Sequence, residues 1–424
     1  MLYRKIQEWL PDYFRPGASR MLLLTGARRT GKTCAIRQAA QARFANYIEL
    51  DLRAQAARFA AVRTTEDFYL RLSMLAGDKM KTKAETLVFF DEITAAPNLL
   101  ALLPQLRRED RFTYVAAAAQ PPAALPEDVT LRRLYPLDFE EFLRANEFSA
   151  FAVEMLRKKL ERLQPLDEAS HEQLLDWFKK YLLVGGLPEA VETYVRDKNI
   201  VAVRARQREI HELLAAEAAA FDAAHRRRAA RLYELIPAAM QSRKKRIMIR
   251  DIEQRSGTRA ASYQAEFDWL AASGLTLCAR AVAEPRCPLA DGGKNLRKLY
   301  WNDVGLLSGA LYENNVQAVL DDEKSPALGA LYETAVAAEL AAHGYDLYYY
   351  DNREHGAIDF LLEMERSRSV APVQVRSGRD YSVFSALPYA LTAGAPAGYV
   401  LSNRRIPQRR DGVVQLPVYS VMFL

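Results

Sequence analysis

The stretch MLLLTGARRTGKTCAIRQAA, residues 21–40, contains an apolar run, a glycine-containing loop and a helical pattern in direct succession. The loop GARRTGKT, residues 26–33, has the G-x4-G-K-T spacing of a P-loop. Its position between a buried strand and a helix is the context that a P-loop requires, because the backbone N–H groups and the helix N-terminus together hold phosphate groups. The stretch therefore predicts a nucleotide-binding α/β domain.

The residue types in this loop predict how a nucleotide is held. Glycine lets the backbone turn its N–H groups toward the phosphates, Lys32 is expected to reach the β and γ phosphates, and the Thr33 hydroxyl is expected to bind Mg2+. The predicted cofactors are therefore ATP and Mg2+. The predicted nucleotide contacts are Gly26, Ala27, Arg28, Arg29, Thr30, Gly31, Lys32, Thr33 and Cys34.

Two acidic residues end a second apolar run, TLVFFDEI at residues 86–93. A continuous apolar run indicates a strand covered on both faces, and in an open parallel sheet the ligand lies at the carboxyl ends of the strands. Asp91 is expected to hold Mg2+ and its water shell, and Glu92 is expected to polarise the attacking water. Glu92 and Lys32 form the predicted catalytic pair. The alternative is an acidic helix cap that follows a strand.

Two more strand-like runs extend the α/β pattern. They are YIELDL at residues 47–52 and FTYVAAAA at residues 112–119, and helical segments lie between them. Alternation of this kind is typical of a three-layer α/β domain.

The length and composition indicate two or three soluble domains. A chain of 424 residues, half hydrophobic and 26% charged, is too long for one ordinary core. No run approaches the ~20 apolar residues of a membrane helix, and the N-terminus MLYRKIQEWLPDYF has no secretory pattern. A cytoplasmic protein without a membrane partner is therefore expected. Cys34, Cys278 and Cys287 are too far apart for a zinc cluster and are expected to be reduced thiols.

The distribution of charge permits an anionic partner. The formal net charge is +6, and basic runs occur at residues 225–228, 243–246 and 404–410. One basic run is more often a solvated surface than a phosphate contact. Three in one chain favour nucleic acid, so DNA is the predicted partner.

Several stretches, in this order along the chain, resemble the bacterial and archaeal AAA+ ATPases that carry a C-terminal restriction-endonuclease-like domain of unassigned function. They are GARRTGKT, LVFFDEI, LYPLDFEEFL at 134–143, YLLVGGLPEAVETYV at 181–195, KLYWNDVGLL at 298–307, and GALYETAVAAEL at 329–340 followed by AIDF and VQVRSG. The resemblance implies an AAA+ P-loop ATPase core at 1–145, a helical lid or linker at 146–232, a winged-helix-like module at 233–295 and a nuclease-like α/β domain at 296–424. It also implies a homo-oligomer, such as a ring, for which Arg132 and Arg133 are candidate arginine fingers.

One strand departs from this family. Alanines occupy residues 116–119, where the corresponding AAA+ strand ends in a polar residue that helps to place the attacking water. The resemblance therefore implies slow or incomplete hydrolysis in this chain.

The middle of the chain has two informative stretches. Residues 246–282 read RIMIRDIEQRSGTRAASYQAEFDWLAASGLTLCARAV and resemble a helix-turn-helix with a wing, preceded by a basic run that could follow a phosphate backbone. The alternative is a structural linker between two larger domains. The sequence GGLP at 185–188 breaks two helical patterns and predicts a structural turn.

The stretch AIDFLLEMERSRSVAPVQVRSG, residues 357–378, has the spacing of a PD-(D/E)xK nuclease core. In such a core two acids on adjacent strands bind a divalent metal, and a Lys two residues after the second acid activates water. Asp359 fits the first position, whereas Gln374 replaces the second acid and Arg376 replaces the Lys. Glu333 resembles the family's upstream acid. A neutral amide and a guanidinium that keeps its proton both disfavour cleavage, so a degenerate site is predicted. Cleavage, nucleic-acid binding without cleavage, and a structural or protein-binding role all stay open.

Three functions follow from these patterns. The leading prediction is an AAA+ ATPase that binds or remodels DNA and hydrolyses ATP at the site formed by Lys32, Asp91 and Glu92. The first alternative is an ATP-gated, metal-dependent endonuclease. The second is a nucleotide-switched protein-interaction module without a nucleic-acid role.

Overall fold

The computed structural model describes residues 2–15, 20–242, 244–248, 251–252, 260–292, 296–364, 368–377 and 385–424. The chain forms two compact units. The first unit contains Tyr3–Tyr135 and Ala272–Gly274, and the second contains Pro136–Ala271 and Leu275–Leu424. Among the described residues, no helix is both long and apolar enough to span a membrane.

The first unit is built on a five-stranded parallel sheet with the strand order β2-β3-β4-β1-β5. Its strands are β1 (Met21–Thr25), β2 (Asn46–Asp51), β3 (Thr86–Asp91), β4 (Thr113–Ala118) and β5 (Val129–Arg133). Its helices are α1 (Ile6–Tyr13), α2 (Lys32–Gln41), α3 (Leu52–Phe59), α4 (Thr65–Ala76) and α5 (Pro97–Glu109), with short 3-10 turns at Gly77–Lys79 and Ile93–Ala95.

Alternate residues of β1, β3 and β4 enter two different cores. On β1, Met21 and Leu23 pack with side chains of α3, α4 and α5, whereas Leu22 and Leu24 pack with side chains of α1 and α2. A strand with both faces covered reads as a continuous apolar run because successive side chains point to opposite faces. The predicted P-loop α/β architecture of this part of the chain is confirmed.

The second unit combines helices with an eight-stranded mixed sheet, in the order β12-β13-β11-β10-β9-β8-β6-β7. The helices are α6 (Phe139–Ala145), α7 (Ala150–Glu161), α8 (Glu168–Val184), α9 (Pro188–Asp197), α10 (Ile200–Ala218), α11 (Arg226–Gln241), α12 (Gln264–Ala272), α13 (Val304–Tyr312), α14 (Val316–Leu320), α15 (Pro326–Ala342) and α16 (Leu387–Thr392), with 3-10 segments at Ala260–Tyr263 and Val418–Phe423. The strands are β6 (Thr276–Ala281), β7 (Arg297–Trp301), β8 (Tyr348–Asn352), β9 (Gly356–Met364), β10 (Ser369–Val375), β11 (Gly398–Ser402), β12 (Gln408–Arg410) and β13 (Val413–Pro417).

Strand β6 is the tail of the stretch that resembles a winged helix. It pairs antiparallel with β7 and parallel with β8, so it is an internal strand of the eight-stranded sheet. Residues 249–250 and 253–259 of the predicted helix-turn-helix lie outside the described residues, as does Arg243 of the preceding basic run. The winged-helix-like module and the three boundaries between the four predicted domains therefore stay predictions.

Three of the stretches that carry the family resemblance come together around Gly186 in the second unit, beside the buried carboxylate of Asp303. Its Oδ2 atom accepts hydrogen bonds from the backbone N–H groups of Gly186 (2.6 Å) and Leu187 (3.2 Å), and its Oδ1 atom accepts one from Leu306 N–H (3.0 Å). A Cβ atom at Gly186 would lie 1.9 Å from the carbonyl oxygen of Leu137, so only glycine fits there. The Gly-Gly turn thus has a structural role, which is to bring backbone donors onto a buried carboxylate.

Candidate functional site

The P-loop connects β1 to α2 at the carboxyl edge of the parallel sheet. Gly26 has a φ angle of 143°, and a Cβ atom there would lie 2.2 Å from the carbonyl oxygen of Leu134. Gly31 caps α2 in a left-handed conformation with a φ angle of 93°. Both conformations favour glycine, which explains why the loop needs these two residues at this spacing.

Lys32 is held over the loop that it is predicted to serve. Its buried Nζ atom donates hydrogen bonds to the carbonyl oxygens of Gly26 (2.7 Å) and Ala27 (3.0 Å). The Thr30 hydroxyl donates to the same Ala27 carbonyl at 2.9 Å. These contacts place an ammonium group at the N-terminus of α2, where the helix also presents its partial positive charge.

The remaining predicted nucleotide contacts follow the turn of the loop. Arg28 is partly buried, Arg29 is exposed with a φ angle of 67°, and Cys34 is exposed on the first turn of α2. The amide of Gln38 donates to the Cys34 sulfur at 3.3 Å. Their contacts with a nucleotide stay predictions.

Arg4 braces the loop from the N-terminal segment, and sequence reasoning missed it. This buried guanidinium donates to the carbonyl oxygens of Thr30 (2.8 Å) and Tyr135 (2.7 Å). It therefore ties the P-loop to the segment that follows β5. A single arginine near a chain terminus belongs to no repeating pattern, so its partners 26 and 131 residues away could not be read from the sequence.

The predicted magnesium ligands are in direct contact. The Thr33 hydroxyl on α2 donates to Asp91 Oδ2 at the end of β3, at 2.8 Å. Burial raises the pKa of Asp91, against the Thr33 hydrogen bond, which lowers it. A hydroxyl and a carboxylate are the hard oxygen ligands that Mg2+ prefers, so these two residues fit the ion.

Glu92 follows Asp91 in a left-handed conformation, with a φ angle of 54°. Its Oε2 atom accepts a hydrogen bond from the backbone N–H of Ala119 at 3.2 Å and lies 3.5 Å from an Nη atom of Arg53. Ala119 lies directly after β4, where the alanine run led to the expectation of slow hydrolysis. Although the polar side chain is missing, a backbone donor contacts the carboxylate at this position. Arg53, another residue that sequence reasoning missed, comes from the first turn of α3.

The two candidate arginine fingers lie on β5, which pairs with β1. The Arg132 side chain donates to the Tyr13 hydroxyl at 3.3 Å, and its guanidinium lies 5.7 Å from the centre of the Trp9 ring. Arg133 donates to the carbonyl oxygen of Ala272 at 2.8 Å. A finger acts across a subunit boundary, so this role stays a prediction for both residues.

A second cluster of predicted residues lies in the second unit. Glu333 on α15, Asp359 on β9 and Gln374 on β10 line one cleft of about 710 Å3. Arg376 follows the end of β10, where its backbone N–H donates to Leu401, and it is not among the described residues that line the cleft. The fold thus brings together three of the four residues proposed for the degenerate nuclease site.

Both carboxylates in this cleft have protein partners. Glu333 Oε1 accepts hydrogen bonds from Lys298 Nζ (2.9 Å) and the Tyr300 hydroxyl (2.7 Å), and Glu333 Oε2 accepts one from Lys245 Nζ. Burial alone would raise the pKa of Glu333, but the ammonium groups of Lys245 and Lys298 outweigh it and lower this pKa.

Asp359 is held from the neighbouring strand. Its Oδ2 atom accepts hydrogen bonds from the Gln374 side-chain amide (2.5 Å) and from Val375 N–H (2.8 Å). Burial raises the pKa of Asp359, and the nearby negative charge of Glu333 raises it further. The sequence gives no sign of these lysine contacts. Lys298 lies in one of the stretches that carry the family resemblance, but no pattern connects it or Lys245 with Glu333 and Asp359.

The parallel sheet, the P-loop and the contact between Thr33 and Asp91 define a P-loop nucleotide-binding domain. Residues 18–143 match a family model described as an AAA domain, AAA_14. Residues 175–317 match a domain of unknown function, DUF8612, and residues 328–421 match another, DUF4143. The restriction-endonuclease-like identity of the C-terminal part stays a prediction.

Three solved structures are similar to this chain at low identity. A Walker-type ATPase of Pyrococcus abyssi has 16% identity and a TM-score of 0.43, over 73% of this chain and 95% of that one. The Orc1 protein of Aeropyrum pernix in complex with DNA has 14% identity and a TM-score of 0.30, over 75% and 92%. AMPPCP-bound DnaA from Aquifex aeolicus has 12% identity and a TM-score of 0.28, over 63% and 85%. A comparison with curated proteins found no match.

Proposed function

We propose that this AAA+ ATPase couples ATP hydrolysis in its first unit to the binding or remodelling of DNA. The observation that carries the ATPase part is the contact between Thr33 and Asp91, with Glu92 as the next residue. It joins the end of the P-loop to two acids at the carboxyl edge of the sheet, which is where a γ phosphate and an attacking water have to meet.

Each residue has a task that its chemistry suits. Lys32 would balance the negative charge of the β and γ phosphates from the N-terminus of α2, while the Gly26–Gly31 backbone supplies N–H donors. Thr33 and Asp91 would hold Mg2+, which supplies charge neutralisation at the phosphate oxygens. Glu92 would leave Arg53 and accept a hydrogen bond from the attacking water, and thereby orient it in line with the γ phosphate.

Two surface runs in the second unit support the DNA part of the proposal. Arg226 and Arg227 are exposed on the first turn of α11. Arg409 and Arg410 are exposed on β12, which is an edge strand of the eight-stranded sheet. Exposed arginines bind phosphate oxygens through paired N–H groups, and such contacts make binding steeply dependent on salt.

ATP turnover measured without DNA and with single-stranded, duplex and branched DNA tests this proposal. Stimulation of the wild type, together with binding in fluorescence anisotropy that weakens steeply with salt, supports it. The Glu92→Gln variant is the control, because it should bind DNA without turnover. If none of the three DNAs changes the rate of ATP turnover or the fluorescence anisotropy, the protein-interaction alternative would be favoured. The same samples are run on a gel to detect DNA cleavage. Cleavage by the wild type that the Asp359→Ala variant lacks would favour the endonuclease alternative.

A matched pair of charge reversals locates the DNA surface. Arg409→Glu changes an exposed arginine on β12, and Arg162→Glu changes an exposed arginine directly after α7. Arg409→Glu should lower the salt slope of DNA binding, and Arg162→Glu should leave it close to the wild-type slope. Equal slopes in both variants would remove β12 from the proposed surface.

A further inference from the structure

We infer that Lys245 and Lys298, bound to Glu333 in the cleft that Asp359 also lines, take the place of a divalent cation there. The cleft of the second unit is then a carboxylate site that the protein fills with its own ammonium groups. This inference concerns the second unit alone and does not depend on ATP hydrolysis or on DNA binding.

Glu333 is a buried carboxylate that two lysines bind. This carboxylate is 1% exposed, and each of its two oxygens accepts a hydrogen bond from a lysine ammonium group. An isolated carboxylate is rarely kept charged in the interior of a protein, because burial penalises the charged form. The two lysines supply the compensation that a bound metal ion provides in a metal-dependent site.

The formal charges of the two carboxylates and the two lysines balance. Two carboxylates carry a formal charge of about −2, and two ammonium groups carry about +2, which equals the charge of one divalent ion. Both lysines and both carboxylates line the same cleft, so these charges are close to one another. The protein therefore supplies from its own side chains the positive charge that one divalent ion would bring to the cleft.

Hydrogen-bond donors from β10 bind Asp359. Its Oδ2 atom accepts two hydrogen bonds from β10, one from the Gln374 amide and one from Val375 N–H. The Gln374 carbonyl oxygen accepts one from the Ser385 hydroxyl at 3.2 Å, which fixes the amide with its N–H2 group toward Asp359. A donor thus points at Asp359 from the position where a metal site needs a third oxygen ligand.

The chemical consequence concerns water activation. A divalent metal activates water by lowering its pKa, whereas an ammonium group hydrogen-bonded to a carboxylate provides no such Lewis acid. The cleft in its native form is then unsuited to metal-dependent hydrolysis, even though the spacing of its acids resembles that of a nuclease. Removal of both lysines should convert it into a site that binds a divalent ion.

Manganese binding to the full-length, nucleotide-free protein tests the inference. Free Mn2+ is measured by electron paramagnetic resonance for the wild type, for Lys245→Met/Lys298→Met, and for the same double variant with Glu333→Gln added. The double variant should bind one Mn2+ per chain more than the wild type, and the triple variant should return to the wild-type number. The Thr33 and Asp91 site is the same in all three proteins, so the difference reports the cleft.

Thermal unfolding gives a second readout. Mn2+ should raise the unfolding midpoint of the double variant by more than it raises that of the wild type, because the ion then binds the folded state at an extra site. A folded double variant that gains neither an ion nor this extra rise would overturn the inference.

A single variant keeps the test decisive when the double variant does not fold. Glu333→Gln alone should leave the Mn2+ number of the protein unchanged, because the wild-type cleft holds no metal under this account. A loss of one Mn2+ in Glu333→Gln would show that the native cleft binds metal and that the lysines do not replace it.

Discussion

Replacing Asp303 with asparagine is expected to change how the stability of the second unit depends on pH. Burial raises the pKa of Asp303 to about 6, although backbone N–H groups, including that of Gly186, lower it. The corresponding pKa in an unfolded chain is about 3.9. Between these two values the folded state binds a proton that the unfolded chain does not. The contribution of this carboxyl to the free energy of unfolding therefore falls as the pH rises from about 4 to about 6.

The size of the effect follows from the shift. About two pKa units at about 1.4 kcal/mol each give about 3 kcal/mol. Asparagine does not titrate, so the difference in unfolding free energy between the wild type and Asp303→Asn should fall by about this amount from pH 4 to pH 7. The variant should also be less stable at low pH, since one of the two oxygens that accept from Gly186, Leu187 and Leu306 becomes an N–H2 donor that faces a backbone N–H.

Urea unfolding followed by tryptophan emission measures this difference. Trp177, Trp269 and Trp301 belong to the second unit, so the emission mainly reports its unfolding. Asp346→Asn is the control, because the Asp346 side chain is 78% exposed and the same substitution there should show a much smaller pH dependence. A difference between the wild type and Asp303→Asn that stays constant from pH 4 to pH 7 would show that Asp303 does not have a raised pKa in the folded protein.

Three further substitutions test the first unit. Gly26→Ala should abolish ATP binding measured by isothermal titration, because its Cβ atom would meet the Leu134 carbonyl oxygen at 2.2 Å; wild-type affinity would contradict the loop geometry. Arg4→Met should weaken ATP binding about tenfold, or by about 1.4 kcal/mol, because the variant loses the hydrogen bond from Arg4 to the Thr30 carbonyl oxygen. Unchanged affinity would mean that the loop keeps its conformation without this hydrogen bond. Arg53→Ala should raise the rate of hydrolysis up to about fivefold with unchanged ATP affinity, because a half-exposed ion pair worth up to about 1 kcal/mol no longer holds Glu92; a slower rate would assign Arg53 a positive role in turnover.

The sequence was most informative where function depends on neighbours along the chain. The P-loop, its strand and its helix lie within residues 21–41, and the acids Asp91 and Glu92 end an apolar run. Local patterns of this kind predict the backbone directly. The apolar run indicates a buried strand, the glycines indicate the turn of the loop, and the lysine marks the start of the helix. The parallel α/β architecture was predictable for the same reason.

Contacts between distant parts of the chain could not be predicted in this way. Lys298 and Lys245 lie 35 and 88 residues before Glu333, and neither spacing has a periodic meaning. Reasoning from the nuclease pattern therefore assigned the positive charge to Arg376, whereas the described lining of the cleft contains Lys245 and Lys298. The contact with Glu92 beside the alanine run at 116–119 could not be predicted either, since it is made by a backbone N–H that no side-chain pattern reveals.

Lys32 is proposed to bind ATP, and Glu92 is proposed to drive its hydrolysis. Filter binding of labelled ATP in Mg2+, with product release from the same samples, measures both steps for the wild type, Lys32→Ala and Glu92→Gln. Lys32→Ala should lose binding, whereas Glu92→Gln should bind ATP like the wild type and hydrolyse it at least about 100-fold more slowly. Normal ATP binding by Lys32→Ala, or wild-type turnover by Glu92→Gln, would contradict the claim.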